Sequence, residues 1–314
     1  MIGIPARCAH SFLRIATLVL ALFVFATVAR AQESFRTTEE AFNALVNAAR
    51  AEDRDGIVAI LGPDGEDIVS SGDAVADAAA LKRFLAAYDA KHEITMEGDS
   101  KATLIIGQED FPFPIPLVQK DKRWRFDTAA GRDEILYRRI GRNELDAIQA
   151  FLAYVDAQNE YAETNPDGAG VGTYAQRIVS RAGKKDGLYW PTQEGEKASP
   201  LGALVAEATS AGYRVGGGQA PYHGYYYRIL TKQGPDAPGG AIDYVVNGKM
   251  IGGFALVAHP AEYGNSGVMT FLVNHDGSVF QKDLGPGTSE LARRMTAYNP
   301  DASWKKVDTS DLQQ

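Results

Sequence analysis

Apolar residues near the start of the chain recur with the spacing of an α-helix. Thr37 and Glu40 form the pair of a capping box, in which two side chains satisfy free backbone N–H groups at a helix start. The apolar positions that follow share one helical face: Ala41, Phe42, Leu45, Val46 and Ala49. A second stretch repeats the spacing with Leu81, Phe84, Leu85 and Tyr88. The pattern predicts two helices here.

Strand-forming residues follow, at 102–106 and 115–119. In the next run, 123–126, Trp124 and Phe126 alternate with arginines, which predicts a strand with both aromatic rings in the core. Asp121 and Lys122 fit the tip of a hairpin between the last two strands. We therefore predict helices followed by a small antiparallel sheet for this first part of the chain.

The second half of the chain is also predicted to contain both helices and strands. Asn143 fits the cap of a helix that runs to about Tyr161, and Ser199 with Pro200 fits the start of a shorter one that ends at Gly212. Strands are predicted at 225–231, 242–246, 254–259, 268–274 and 279–282, and a closing helix is predicted to bury Leu291 and Met295. The chain is thus predicted to be an α+β protein with a signal peptide at 1–31, an N-terminal α+β unit at 32–142 and a helix-plus-antiparallel-sheet unit at 143–314.

The first 31 residues have the order of a cleavable secretory signal peptide. Arg7 and Arg14 precede an apolar run at 15–28. Small residues, Ala29 and Ala31, occupy the two positions that a signal peptidase recognises before its cleavage site. The run is too short to span a membrane, which needs about 20 apolar residues. We therefore expect cleavage after Ala31, a periplasmic or secreted protein, and no membrane insertion of the mature chain.

Composition narrows the chemistry of the mature protein. Its one cysteine, Cys8, lies in the predicted signal, so the mature chain has no thiol for a disulfide, a metal or catalysis. The net charge of −8 becomes more negative when the signal's arginines are removed, which argues against nucleic acid as a partner. No cofactor is predicted, because Gly170-x-Gly172-x-x-Ala175 follows a predicted helix and a dinucleotide loop must follow a strand.

Two stretches carry a resemblance to a known family. The first stretch is Tyr225-Tyr226-Tyr227-Arg228-Ile229-Leu230. The second runs from Tyr244 to Phe271 and includes Asn247-Gly248-Lys249-Met250-Ile251-Gly252-Gly253 and Pro260-Ala261-Glu262-Tyr263-Gly264-Asn265-Ser266-Gly267. They resemble a bacterial exported family known only as domain of unknown function 2950. The resemblance implies export in a Gram-negative bacterium and implies no activity or cofactor.

The C-terminal half is also similar to the globular part of type IV pilin-like proteins. The similarity lies in a helix ending at Gln158-Asn159-Glu160-Tyr161-Ala162, then Gly172-Thr173-Tyr174, the tyrosine-rich strand and Asp276-Gly277-Ser278-Val279. It implies a long helix packed on an antiparallel sheet. Pilins retain an apolar helix where this chain has a cleavable signal, so pilus assembly is not implied.

Four histidines remain in the mature chain, and none has the spacing of a helical zinc pair, so no metal site is predicted. His259 with Glu262 is the best candidate for an acid–base pair. An up-and-down sheet would place His223 and His275 at one edge, without a carboxylate partner, and His259 at the opposite edge.

Tyrosine-rich sequence supplies the candidate binding surface. On a strand, Tyr225 and Tyr227 share one face and Tyr226 and Arg228 the other. We predict that one face packs on a helix and that the other binds, with Tyr222, His223, Tyr226 and Arg228 as the binding residues.

These observations favour a non-catalytic binding or interaction module of the cell envelope whose partner is an envelope protein or a glycan. Two alternatives stay open. One is a periplasmic hydrolase that uses loop residues of the C-terminal sheet, and the other is a small-ligand carrier with an apolar cavity lined by Phe84, Tyr88 and Trp124.

Overall fold

A computed structural model of the chain describes residues 32–214 and 220–310. Helices and antiparallel sheets make up this part, so the predicted α+β class is confirmed. None of the helices in these ranges has the length and apolar character needed to cross a bilayer. The predicted signal peptide, with Ala29 and Ala31, lies outside the described residues.

The described chain begins with a group of short helices. Thr37 accepts a hydrogen bond at 3.1 Å from the backbone N–H of Glu40, as the capping box predicts. Asp73 caps the longest of these helices by accepting bonds from the N–H groups of Val75 and Ala76. The α-helices are Thr38–Arg50 (α1), Arg54–Leu61 (α2), Glu66–Val69 (α3) and Ala74–Ala90 (α4), with a 3₁₀ turn at Pro63–Gly65.

A small antiparallel sheet packs against these helices. Its strands are His92–Glu97 (β1), Lys101–Ile106 (β2), Phe111–Pro112 (β3), Leu117–Lys120 (β4) and Arg123–Phe126 (β5). The order is β1-β2-β4-β5, and β3 also pairs with β2. Trp124 and Phe126 are buried, which confirms them as core residues. Asp121 and Lys122 form the turn between β4 and β5 with φ values of 52° and 58°.

The long helix of the protein is α5, Thr128–Thr164. The predicted start at Asn143 is wrong, because Asp127 caps the helix and Asn143 lies buried within it. Residues before 143 carry few apolar side chains, so they lack the stripe on which the prediction depended. Ile135 packs on the N-terminal core, and later residues such as Phe151 belong to the C-terminal core. The division of the mature chain at 142/143 stays a prediction, and the helix runs across it.

The C-terminal part consists of a five-stranded sheet with smaller elements around it. The sheet order is β14-β13-β12-β11-β6, with every neighbouring pair antiparallel. The elements are Gly202–Ser210 (α6), Tyr225–Leu230 (β6), Lys232–Gln233 (β7), Ile242–Asp243 (β8), Val245–Val246 (β9), Lys249–Met250 (β10), Ala255–Pro260 (β11), Met269–Asn274 (β12), Val279–Asp283 (β13), Thr288–Arg294 (α7) and Lys305–Lys306 (β14).

Helices lie on both faces of this sheet. On one face, Phe151 of α5 meets the rings of Tyr227 and Phe271 edge-on, at centroid distances of 6.3 and 6.4 Å. On the other face, Arg228 donates to the carbonyls of Ala292 and Met295 in and after α7. The sheet therefore has no wholly open face in the described structure.

The predicted strand at 242–246 does not join the sheet. It splits into β8, which pairs with β7, and β9, which pairs with β10 across the Asn247-Gly248 turn. As a result β11 runs directly antiparallel to β6, and His259 lies at the same sheet edge as His223. His275 follows β12 at the opposite edge, so the predicted arrangement of the three histidines is wrong.

Two helix details also differ from prediction. Ser199 is not a helix cap, because α6 begins at Gly202 and Leu201 occupies the cap position. Leu291 is not an inward residue: it is exposed, and Ala292 beside it is buried. In α7 the buried residue is a small alanine, whose burial the sequence pattern does not signal.

Candidate functional site

The candidate site is built around the tight turn that precedes β6. Tyr222 and Tyr225 exchange backbone hydrogen bonds of 2.9 and 3.1 Å, which leaves His223 and Gly224 as a two-residue turn. Both turn residues have positive φ, 49° and 73°. A left-handed conformation is uncommon for histidine and comfortable for glycine. The turn therefore holds His223 in a conformation that its surroundings must stabilise.

Residues distant in sequence supply that stabilisation. The N–H of Gly224 donates to the carboxylate of Asp73 at 2.8 Å, and the N–H of His223 donates to the hydroxyl of Tyr213 at 3.2 Å. Tyr213 in turn donates to Asp73 at 2.9 Å. A Cβ on Gly224 would lie 2.5 Å from the amide of Asn143, so a larger residue does not fit there. The turn is thus fixed from the N-terminal helices and from α5.

The imidazole of His223 has a carboxylate partner. Its Nδ1 lies 2.9 Å from Oδ2 of Asp146 on α5, and both side chains are about one-third exposed or less. The prediction that His223 lacks such a partner is wrong, because the fold brings together residues 77 positions apart. A carboxylate that binds Nδ1 fixes the ring orientation and leaves Nε2 as the nitrogen for another molecule. This arrangement suits proton transfer or hydrogen bonding to a ligand.

Three tyrosines surround this pair. The ring of Tyr222 lies 4.2 Å from that of His223, 5.0 Å from Tyr213 and 6.4 Å from Tyr227. Burial is the main cause that raises the pKa of Tyr222 to about 12, and it raises the pKa of Tyr227 well above its ordinary value. The phenols therefore stay protonated at neutral pH and act as hydrogen-bond donors.

The hydroxyl of Tyr227 is the unusual member of the group. It is buried and has no hydrogen-bond partner within the described residues. An unpaired buried hydroxyl costs about 1–3 kcal/mol, and such exceptions in folded proteins call for an explanation. Its ring lies 6.4 Å from that of Tyr222, which places it in the same group. We call Asp146, Tyr213, Tyr222, His223 and Tyr227 together the His223 site.

The structure separates the four predicted binding residues into two pairs. Tyr222 and His223 belong to the His223 site. Tyr226 points to the other face, with its ring 5.5 Å from that of His259, and Arg228 is bonded to the carbonyls of Ala292 and Met295. Strand alternation, which the sequence shows, accounts for this separation.

The predicted acid–base pair His259 and Glu262 is not in contact in the described structure, where no ion pair joins them. His259 is buried, its Nδ1 lies 3.0 Å from the carbonyl of Pro260, and burial lowers its pKa. Glu262 accepts a hydrogen bond at 2.9 Å from the amide of Asn265. Within the described ranges, no group of three or more histidine, cysteine or acidic residues is placed to hold a metal ion.

Sequence reasoning missed Asp146 and Tyr213 as members of the site and Asp73 as its support. Asp146 lies within α5, and Asp73 caps α4, and each also makes a contact with the turn that depends on the fold. The one signal in the sequence was the density of tyrosines at 222–227.

The family of the chain follows from a model that matches residues 32–307, described as protein of unknown function, DUF2950. The chain belongs to the DUF2950 family. No curated protein shows significant similarity to the chain, and no solved structure does. The resemblance to pilin-like proteins therefore stays a prediction. Membership of the DUF2950 family brings no activity with it, so the His223 site is the starting point for a function.

Proposed function

We propose that this DUF2950 protein is an exported, non-catalytic binding module of the Gram-negative cell envelope, and that its His223 site binds a glycan. The observation that carries the proposal is the unpaired, buried hydroxyl of Tyr227 beside the His223–Asp146 pair. Because this hydroxyl is buried, a sugar can reach it only after neighbouring side chains of the site move aside. A sugar hydroxyl that then accepts a bond from Tyr227 removes the cost of the unpaired donor.

The remaining groups of the site have the chemistry that sugars require. Asp146 accepts hydrogen bonds from hydroxyls, and a bond to a charged group contributes more than a neutral one. The rings of Tyr222 and Tyr213 offer apolar faces with polar tips, as in many binding surfaces where one side of the ligand is apolar. The net negative charge of the chain does not disfavour a neutral ligand.

Export is the second part of the proposal. The family match begins at residue 32, which is the first residue expected after cleavage at Ala31. Mass spectrometry of the protein from the periplasmic fraction should find a chain that starts at Gln32. A species that still contains Phe25 contradicts the cleavage.

A glycan array followed by calorimetry tests the ligand. The mature chain, residues 32–314, is applied to an array that contains peptidoglycan and outer-membrane oligosaccharide fragments, and the best ligand is titrated. Tyr227→Phe should weaken its binding by about 2–10-fold, the loss expected for one hydrogen bond. Tyr222→Ala should weaken it further because the ring face is lost. Tyr137→Phe is the matched control, since that tyrosine is 71% exposed and lies outside the site.

Two results overturn the proposal: no saturable binding to any glycan, or equal affinity in the Tyr227→Phe and Tyr137→Phe variants. Melting temperatures of all variants are measured alongside, so that loss of folding is recognised.

A hydrolase is the second candidate, and the His223–Asp146 geometry favours it, because a carboxylate-oriented histidine is the usual general base. The structure thereby moves this alternative from His259 and Glu262 to His223. Turnover of a bound glycan that disappears in His223→Gln would identify an enzyme. The carrier is not favoured, since Phe84, Tyr88 and Trp124 pack in or against the N-terminal core.

A further inference from the structure

A concave site separate from the His223 site lies near the C-terminal end of α5. It is a cleft of about 520 Å³, within the usual size range of small-molecule sites. Its lining includes Tyr161, Arg177, Arg181, Asp186 and Lys249. Tyr161 follows Asp146 by fifteen residues on α5, so about 22 Å of helix separates the cleft from the His223 site.

Three basic side chains line this cleft, against the two carboxylates of Asp167 and Asp186, so its local charge is positive although the whole chain is acidic. Residues 176–185 contain Arg177, Arg181, Lys184 and Lys185 and no acidic residue. Lys249 reaches the cleft from β10 and donates to the carbonyl of Ala169 at 2.7 Å. A local excess of positive charge in an otherwise negative protein attracts anions to one place.

Asp186 positions the two arginines. Its Oδ2 lies 2.5 Å from Nε of Arg181 and 3.9 Å from Nε of Arg177. Its Oδ1 accepts a bond at 2.9 Å from the backbone N–H of Arg181, and that bond is the main cause that lowers the pKa of Asp186. The carboxylate is 19% exposed, whereas both arginine side chains are more than half exposed.

Arg181 is anchored through its Nε, whereas Arg177 lies near the same carboxylate without a hydrogen bond to it. The outer nitrogens of both guanidinium groups are therefore free. Within the described residues, the Nη1 and Nη2 atoms of Arg177 and Arg181 make no hydrogen bond to the protein. A guanidinium fork binds a carboxylate or phosphate through two parallel bonds, and prior anchoring reduces the entropy lost on binding. Two such forks beside one lysine make a receptor for an oxyanion.

The neighbouring glycine-rich loop does not itself supply the anion site. The N–H of Gly170 is bonded to the side chain of Asn165, and the N–H of Gly172 to the carbonyl of Ala162. From this segment, Asp167, Ala169 and Thr173 line the cleft. The arginine and lysine side chains carry the recognition.

We propose that this cleft binds a small organic anion through a carboxylate or phosphate group held by Arg177 and Arg181, with Lys249 as the third cation. The proposal is independent of the glycan site, because the two sites share no residue. Asp186 is the positioning residue, because its carboxylate fixes the guanidinium group of Arg181 by a hydrogen bond and attracts that of Arg177.

Calorimetry on the mature chain tests this binding with two named probes, inorganic phosphate and glucuronate, at constant ionic strength. We expect saturable binding of at least one probe. Arg177→Gln with Arg181→Gln should weaken that binding at least tenfold, and Arg177→Gln alone should have a smaller effect. Arg54→Gln is the matched control, because Arg54 is an exposed arginine paired with Glu66 at 3.1 Å, on α2, away from the cleft.

Separate measurements with vesicles containing phosphatidylglycerol distinguish a free anion from a lipid headgroup. Binding to vesicles without binding to either small probe overturns the proposal. So does the absence of saturable binding, or an affinity that the double substitution leaves unchanged. Because both arginines are exposed, the variants should keep the melting temperature of the wild type, and glycan binding at the His223 site should not change.

Discussion

At the scale of single residues, burial controls the ionisation of the polar groups inside the C-terminal region. His259 is an example: burial is the largest cause that lowers its pKa from the ordinary 6.5, and Arg228 and Arg293 add to the effect. The bond with the carbonyl of Pro260 opposes it. His259 is therefore neutral in the folded protein at neutral pH, whereas in the unfolded chain it gains a proton more readily.

We predict that His259 reduces stability at mildly acidic pH. The pKa of His259 is lower in the folded than in the unfolded protein. Its contribution to the free energy of unfolding is therefore complete above about pH 6.5 and is lost as the pH falls below that value. Between pH 7.5 and 5.5, where ordinary carboxylates stay ionised, His259→Gln should lose less stability than the wild type. Urea unfolding at both pH values measures this. His92→Gln is the control for the loss of an imidazole at an exposed position.

At the scale of elements, α5 depends on two glycines in different ways. Gly131 lies where the helix meets the backbone of Pro114 and Ile115, and a Cβ there would stand 2.3 Å from the carbonyl oxygen of Pro114. Gly141, ten residues later, has open space around the same position. One glycine permits close packing between helix and sheet, and the other only lowers helix propensity.

We therefore predict that replacing glycine by alanine has opposite effects on stability at positions 131 and 141. Gly131→Ala should destabilise the protein by about 1–3 kcal/mol, because the added methyl forces the helix from the sheet. Gly141→Ala should stabilise it by about 0.5–1 kcal/mol, because alanine favours an exposed helix interior. Denaturant unfolding of both variants provides the comparison, and the same sign for both would contradict this account of α5.

Elements with a local signal were accessible from the sequence. The cap at Thr37, the hairpin at Asp121 and the alternation of Trp124 and Phe126 depend on neighbours within a few residues. The first 15 residues of α5 were not accessible, because their packing depends on the N-terminal core, which Ile135 contacts. The pair of His223 with Asp146 was hidden because it joins residues 77 positions apart. The position of His259 was mispredicted because residues 242–246 are divided between two small hairpins, so that β11 neighbours β6.

At the scale of the whole molecule, Arg139 connects the N-terminal helices with the C-terminal loops. From α5 it donates to the carbonyl of Asp67 at 2.7 Å, to that of Ile68 and to the side chain of Asn265. Asn265 donates in turn to the carbonyl of Ser70 at 2.7 Å. Burial lowers the pKa of Arg139, with nearby carboxylates acting in the opposite direction. One mostly buried cation therefore satisfies acceptors from both regions.

Arg139→Met should destabilise the protein by about 2–4 kcal/mol, because it leaves several buried acceptors without a donor. Arg138→Met is the matched control. Arg138 is the adjacent residue on the exposed side of α5, paired with Glu134, and its loss should change stability by no more than about 0.5 kcal/mol. Thermal unfolding of the two variants tests this prediction. Similar melting temperatures would show that Arg139 does not join the N-terminal helices to the C-terminal loops.

The path of α5 has a consequence for what a protease leaves behind. The segment between α5 and α6 has little regular structure and contains the exposed residues Lys184 and Lys185. A trypsin cut there breaks the covalent connection between α5 and the sheet on which it packs. Residues of α5 such as Phe151 and Tyr161 belong to the same core as β6, β11 and β12. We therefore expect the two fragments to stay together without a covalent link, so that the cleaved protein behaves as a heterodimer of its own fragments.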